Sequence, residues 1–192
     1  TAIEIKDASG KTKGIVFGYA CHSTTLSFFQ WCGDYPGFVM LELEKRHPGA
    51  TALFWAGCGA DQNPLPRRTV ELAQNYGNQL ADSVDAVLKQ PMKKIQGTLK
   101  KTYSEIPLSF AELPTRDKLI QDSQSKDKFQ AGRAKFLLKK LEAESTIKET
   151  YQYPIETWKL GDGPNWVFLG GEVVVDYAIK IKEALGKNTW VC

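Results

Sequence analysis

The chain predicts an α/β fold: mixed β-sheets, two packed sheets, flanked by helices. Three observations carry that expectation. Short apolar runs such as Thr51–Ala56 (TALFWA) and Trp166–Leu169 (WVFL) have the length and side chains of buried strands. Between them, Leu72, Tyr76, Leu80, Val84 and Leu88 recur at every fourth position, the repeat of an amphipathic helix. Strands also follow one another directly as hairpins, so a purely parallel sheet is not expected.

The elements follow in order. Ile3 and Ile5 alternate with charged residues, Asp7–Gly10 makes a turn, and the more apolar segment Gly14–His22 returns as the second strand of a hairpin. Pro36 suits a first helical turn, where a missing N–H costs nothing. The helix it opens runs to Arg46 and is stopped by His47-Pro48-Gly49. After the strand Thr51–Ala56 comes the loop GCGADQNP, Gly57–Pro64. Thr69 is the expected cap of a helix over residues 70–89, whose stripe Val87 reinforces and which Pro91 ends. Residues 95–110 are extended, with an apolar parity that switches near Ser104–Glu105, where a bulge or break is expected. Thr115 caps a short helix. Residues 129–144 form another, with Phe129, Phe136, Leu137 and Leu141 expected to face the core. Strands follow at residues 150–160 and 166–169, then a helix over residues 172–185 closed by Gly186, and Thr189–Cys192 reads as the opening of a strand.

Bulk properties exclude several classes of function. Twenty-five basic and 22 acidic residues leave a net charge of +3, and the cations are interleaved with acids. That pattern lacks the concentrated basic face that phosphate recognition needs and argues against a nucleic-acid partner. No run approaches the ~20 apolar residues of a transmembrane segment. The four cysteines, Cys21, Cys32, Cys58 and Cys192, show no zinc-ribbon spacing. Buried free thiols are one reading, and a Cys32–Cys58 disulfide between two loops at one sheet edge is another. The 192 residues read as a single domain, and its ends as those of a piece of something larger. Oligomeric state is not legible.

The residues able to carry chemistry gather where apolar strands give way to loops. His22 ends one strand and precedes Ser23, Thr24 and Thr25. It is either a buried histidine with satisfied hydrogen bonds or a ligand. Glu172, beside Gly170-Gly171, is either a first-turn helix carboxylate or a metal ligand or general base. Asp34 and Asp61 are turn formers or site residues. His47, at a helix end, is surface punctuation. The loop Gly57–Pro64 follows a buried strand, the place where α/β sheets bind ligands. No GxSxG elbow is present, which removes a metal-free serine hydrolase of that type.

Four stretches, in order, resemble the landmarks of the neutral (non-lysosomal) ceramidase family: ACHSTTL at Ala20–Leu26, CGDYPG at Cys32–Gly37, FWAGCGADQNP at Phe54–Pro64 and FLGGEVVVDY at Phe168–Tyr177. Residues 96–151 carry little of this resemblance. It implies a zinc amidase that cleaves the N-acyl bond of a lipid-like substrate and is secreted or periplasmic. His22 matches the second of the family's two histidine ligands and Glu172 its glutamate. The other histidine and a tyrosine would lie upstream of Thr1 and downstream of Cys192, so the chain reads as an internal fragment of a larger catalytic domain. Asp61 and Asn63 match the catalytic loop, with Asn63 standing where the family has serine. An asparagine cannot attack as a nucleophile but can donate to an oxyanion. Asp34, Ser23, Thr24 and Cys58 would flank the substrate and the ligands. The alternative is a non-catalytic binding domain that kept the scaffold.

Overall fold

The computed structural model describes residues Thr1–Cys192. Two sheets form. The first has order β1-β2-β3, from β1 (Ala2–Lys6), β2 (Thr12–Tyr19) and β3 (Thr51–Ala56). The second has order β4-β5-β6-β7, from β4 (Leu99–Ser109), β5 (Thr150–Leu160), β6 (Asn165–Leu169) and β7 (Thr189–Val191). β1 and β2 are antiparallel, whereas β2 with β3 and β6 with β7 are parallel, so the expected mixed α/β architecture is what forms. The helices are α1 (Asp34–Arg46), α2 (Val70–Leu88), α3 (Arg116–Asp122), α4 (Lys128–Glu144) and α5 (Val175–Leu185). None is long and apolar enough to cross a membrane. The chain divides into two compact units, Thr1–Tyr103 with Glu156–Cys192, and Ser104–Ile155.

In the first unit, Ile15 and Phe17 of β2 are fully buried against Val39 and Leu43 of α1 and against Ala81 and Val84 of α2. The parallel register pairs Tyr19 with Ala56, so β2 and β3 end at the same edge. An aromatic cluster links the two sheets here. Trp55 of β3 stacks on Trp190 of β7 with ring centroids 5.5 Å apart, and Trp166 of β6 meets both rings edge-on.

Thr69 caps α2 as expected, accepting from the Leu72 amide. The fully buried line of that helix, Ala73, Gly77, Ala81 and Val84, shares only Val84 with the expected stripe. Tyr76, Leu80 and Leu88 are half-buried and pack against the core beside it, Leu72 is half-buried and Val87 is exposed. Close approach of α1 dictates this, since a Cβ on Gly77 would sit 2.5 Å from Phe38 Cβ. At its other end α1 is tied to α2 by charge. Arg46 donates to Asp82 and Asp85, and His47 Nε2 donates to Asp85 at 2.7 Å.

In the second unit Thr115 caps α3, and Asp127 caps α4 through the Phe129 and Gln130 amides. Phe129 and Phe136, expected to face inward, are 77% and 60% exposed. The buried face is instead made of Ala131 and Ala134, small enough to bring α3 and its buried Leu119 close. Leu137 and Leu141 are half-buried. β4 runs uninterrupted through Ser104–Glu105, where a break was one expectation. Every residue of β4 is exposed, so no core dictates its apolar parity.

Candidate active site

The exits of β2, β3 and β6 converge. β2 ends at Tyr19 and releases Ala20–Thr25, β3 ends at Ala56 and releases the loop Gly57–Pro64, and β6 ends at Leu169 and releases residues 170–174. The Gly57–Pro64 loop stitches the other two in place. Gly57 N donates to Tyr19 O, and His22 N donates to Gln62 O at 3.0 Å. Ala60 N donates to Val173 O at 3.2 Å, and Asp61 Oδ1 accepts from Val175 N at 3.2 Å. The close approach explains Gly59, where a Cβ would lie 2.5 Å from the Cys21 backbone nitrogen.

His22 and Glu172 line one cavity of about 190 Å³, together with Ser23, Cys21, Cys58 and Cys192. The half-buried His22 ring has Nε2 2.9 Å from Ala60 O. A carbonyl only accepts, so Nε2 carries the proton and Nδ1 keeps a lone pair for a ligand, the arrangement in which a second-shell carbonyl fixes a metal-binding imidazole. Glu172 is exposed and precedes α5, which begins only at Val175. It is therefore not a first-turn helix carboxylate: Asp176 holds that position, and Asp61 reaches across to the first helical N–H.

Asp34 is 5% exposed and has φ 52°, a left-handed conformation uncommon outside glycine. Its two oxygens accept from the Leu26 and Tyr35 amides at 2.8 and 2.7 Å. Asp34 thus braces the 26–33 loop against the start of α1, and Tyr35 hydroxyl donates to Cys21 O from the same turn. Thr24 Oγ1 and an Arg67 guanidinium N–H both donate to Asn63 Oδ1 at 3.3 Å, which leaves the Asn63 NH₂ group as its free end. Loop residues past the 190 Å³ cavity, Gln62–Leu65, line a second one of about 410 Å³ with Tyr19, Tyr35 and Tyr76.

All four cysteines are free, so the Cys32–Cys58 pairing does not form. The all-buried reading is also too broad, since Cys58 is buried and Cys32 exposed. Burial raises the Cys58 thiol above its ordinary value, and its Sγ lies 3.8 Å from Val191 O, so the group is a protonated thiol and no ready nucleophile. Burial, with Cys58 close by, pushes Cys192 up to about 12. Neither Cys21 nor Cys192 was singled out as a site residue from sequence. Cys21 is adjacent to His22, which was a usable signal, whereas only the β6–β7 pairing brings Cys192 in.

Zinc is the cofactor the resemblance implies. His22 and Glu172 fit as two of its donors: one cavity, an imidazole lone pair and a carboxyl group, with Gly57, Gly59 and Gly171 in the same lining. No three His, Cys, Asp or Glu side chains of the chain assemble into a metal-binding group. His47, the only other histidine, is held by Asp85 at the opposite end of α1.

No protein-family model matches the chain, and no curated protein matches it either. Solved structures do, among them two ceramidases. One is neutral ceramidase from Pseudomonas aeruginosa, with a TM-score of 0.66 and 13% identity over 96% of this chain. The other is a ceramidase complexed with C2, with a TM-score of 0.68 and 14% identity over 99% of this chain. The chain spans 36% and 39% of the length of those two proteins. Nearly all of this chain therefore has the fold of a part, a little over a third, of neutral ceramidase.

Proposed function

We propose that the chain is part of a zinc-dependent hydrolase of the neutral ceramidase type, cleaving an N-acyl amide bond in a lipid-like substrate. The observation that carries this reading is the sharing of one cavity by His22 and Glu172, the two residues that match family ligands, in a chain with the ceramidase fold. His22 Nδ1 and the Glu172 carboxyl group would hold the metal with two donors from polypeptide outside this chain. Zinc there would supply Lewis-acid activation of water and of the scissile carbonyl. The chain's own residues set the stage for that chemistry. Ala60 O fixes the tautomer and orientation of His22. Asn63, held by Thr24 and Arg67 at its oxygen, offers N–H donors to the developing oxyanion where the family has serine. Asp61 contributes by locking the loop to α5 and is a positioning residue. The 410 Å³ cavity would take a neighbouring part of the substrate. Secretion or a periplasmic location belongs to the same reading.

Asparagine in place of serine favours one second reading, a binding domain that kept the scaffold without the reaction. Hydrolysis of a soluble short-chain N-acyl amino alcohol, assayed in the intact protein with zinc, separates the two. The enzyme reading expects turnover that falls about 100-fold or more in Asn63→Leu, the scale of losing one oxyanion donor. Saturable binding of that amide with no release of fatty acid would leave the binding domain.

A further inference from the structure

The rim of the candidate site carries an apolar surface for which catalysis as described has no use. Phe29 and Trp31 project wholly into solvent, at 108% and 105% exposure, from the middle of the loop between His22 and α1. Leu65, 73% exposed, stands on the neighbouring loop after β3. The two loops are fastened together by the Arg68 amide donating to Thr25 O at 2.6 Å. Arg68 adopts φ 100°, a conformation a non-glycine residue keeps only where its surroundings impose it. Asp34 braces the first loop from below through the Leu26 amide, so the aromatic residues sit on an anchored segment.

Within the two loops, between the flanking Asp34, Asp61 and Glu71, the charge has one sign. Residues 23–33 and 62–70 contain no Asp or Glu, and their only charged side chains are Arg67 and Arg68. Fully exposed Trp and Phe beside two arginines match the chemistry of a lipid–water interface: aromatic rings enter the headgroup boundary while guanidinium groups pair with anionic phosphates. We infer that these two loops dock the protein on an anionic lipid surface, with Phe29, Trp31 and Leu65 inserted and Arg67 and Arg68 on headgroups. The same loops lead back to His22 and Asn63, so docking would present the candidate site to a substrate still in its lipid layer.

This inference rests on the lipid reading of the site, yet its test needs no turnover. The measurement is co-sedimentation with vesicles of phosphatidylcholine alone and of phosphatidylcholine with phosphatidylglycerol, accompanied by sedimentation velocity of the free protein. The expected result is binding to the phosphatidylglycerol vesicles that weakens about tenfold or more in Phe29→Ser/Trp31→Ser. Arg67→Gln/Arg68→Gln should weaken it about as much on anionic vesicles, with the loss mimicked by added salt. Phe29, Trp31 and Arg68 are exposed, whereas half-buried Arg67 also holds Asn63, so Arg68→Gln alone is measured beside the pair, and an unchanged thermal midpoint checks the fold. Absent vesicle binding, or binding that the Phe29/Trp31 pair does not alter, overturns the proposal. A dimer that the same pair of substitutions dissociates, with no vesicle binding, assigns the surface to a second copy of the chain instead. Vesicle binding by a protein that hydrolyses no amide would leave the docking surface standing and the reaction refuted.

Discussion

At the scale of single residues, the candidate site shows how much of a functional side chain's work is structural. Asp61 lies in the loop that resembles the family's catalytic motif, yet the geometry gives one of its oxygens to the first N–H of α5. α5 has no cap of its own, because the preceding residue is Val174. A carboxylate supplied from a distant loop satisfies an orphan amide and favours the positive end of the helix. Asp61→Ala should cost about 1 kcal/mol by chemical denaturation, the value of a lost cap, and should speed amide exchange at Val175. An unchanged exchange rate would mean that the cap does not persist in solution. Nothing in local sequence could reveal this bond, since its partners lie 114 positions apart. His22 and Glu172 were more legible, because each is a polar residue released by an apolar strand. What sequence reasoning could not supply was the His22 tautomer, which a backbone carbonyl of another loop decides.

At the scale of elements, periodicity predicted which segments form helices better than which side they bury. α2 begins behind its expected cap, but its seam is Ala73, Gly77 and Ala81 because α1 comes close, and small residues leave no trace in a search for large apolar ones. The exposed Phe129 and Phe136 of α4 mislead for the same reason in reverse. Helix α5 starts three residues later than Glu172, as Gly170-Gly171 and the pairing of Val173 with Ala60 keep that segment extended. The α1–α2 pair also carries a pH dependence. Burial pushes the Asp85 carboxyl up, but hydrogen bonds from His47 and Arg46 outweigh it and hold the group below its ordinary 3.8. A depressed carboxylate contributes stability that is complete above the unfolded-state value and is lost as pH falls through the folded-state one. Asp85→Asn should therefore destabilise the protein by about 1.5–3 kcal/mol at neutral pH, the scale of hydrogen bonds to a charged group. It should also flatten the decline in stability below about pH 4, read from urea midpoints across an acid series. An acid limb as steep as that of the unsubstituted protein would remove Asp85 from this role.

At the scale of the whole molecule, the mixed-sheet architecture followed from strands that form both hairpins and crossovers, and it is the fold the chain shares with neutral ceramidase. The parallel pairing of β2 with β3 ends both strands at one edge, and the Trp55, Trp166 and Trp190 cluster brings β6 and β7 alongside. That convergence brings His22, Cys58 and Glu172, from three separated motifs, to the lining of one cavity, which no motif displays alone. The account stands or falls on His22 and Glu172 acting together on a metal. The most direct test is zinc titration of the intact protein by calorimetry, with His22→Ala and Glu172→Ala measured alongside. A site completed by donors outside this chain predicts one-to-one binding that each substitution weakens by about tenfold or more. No saturable binding at millimolar zinc, or binding that both substitutions leave unchanged, would contradict it.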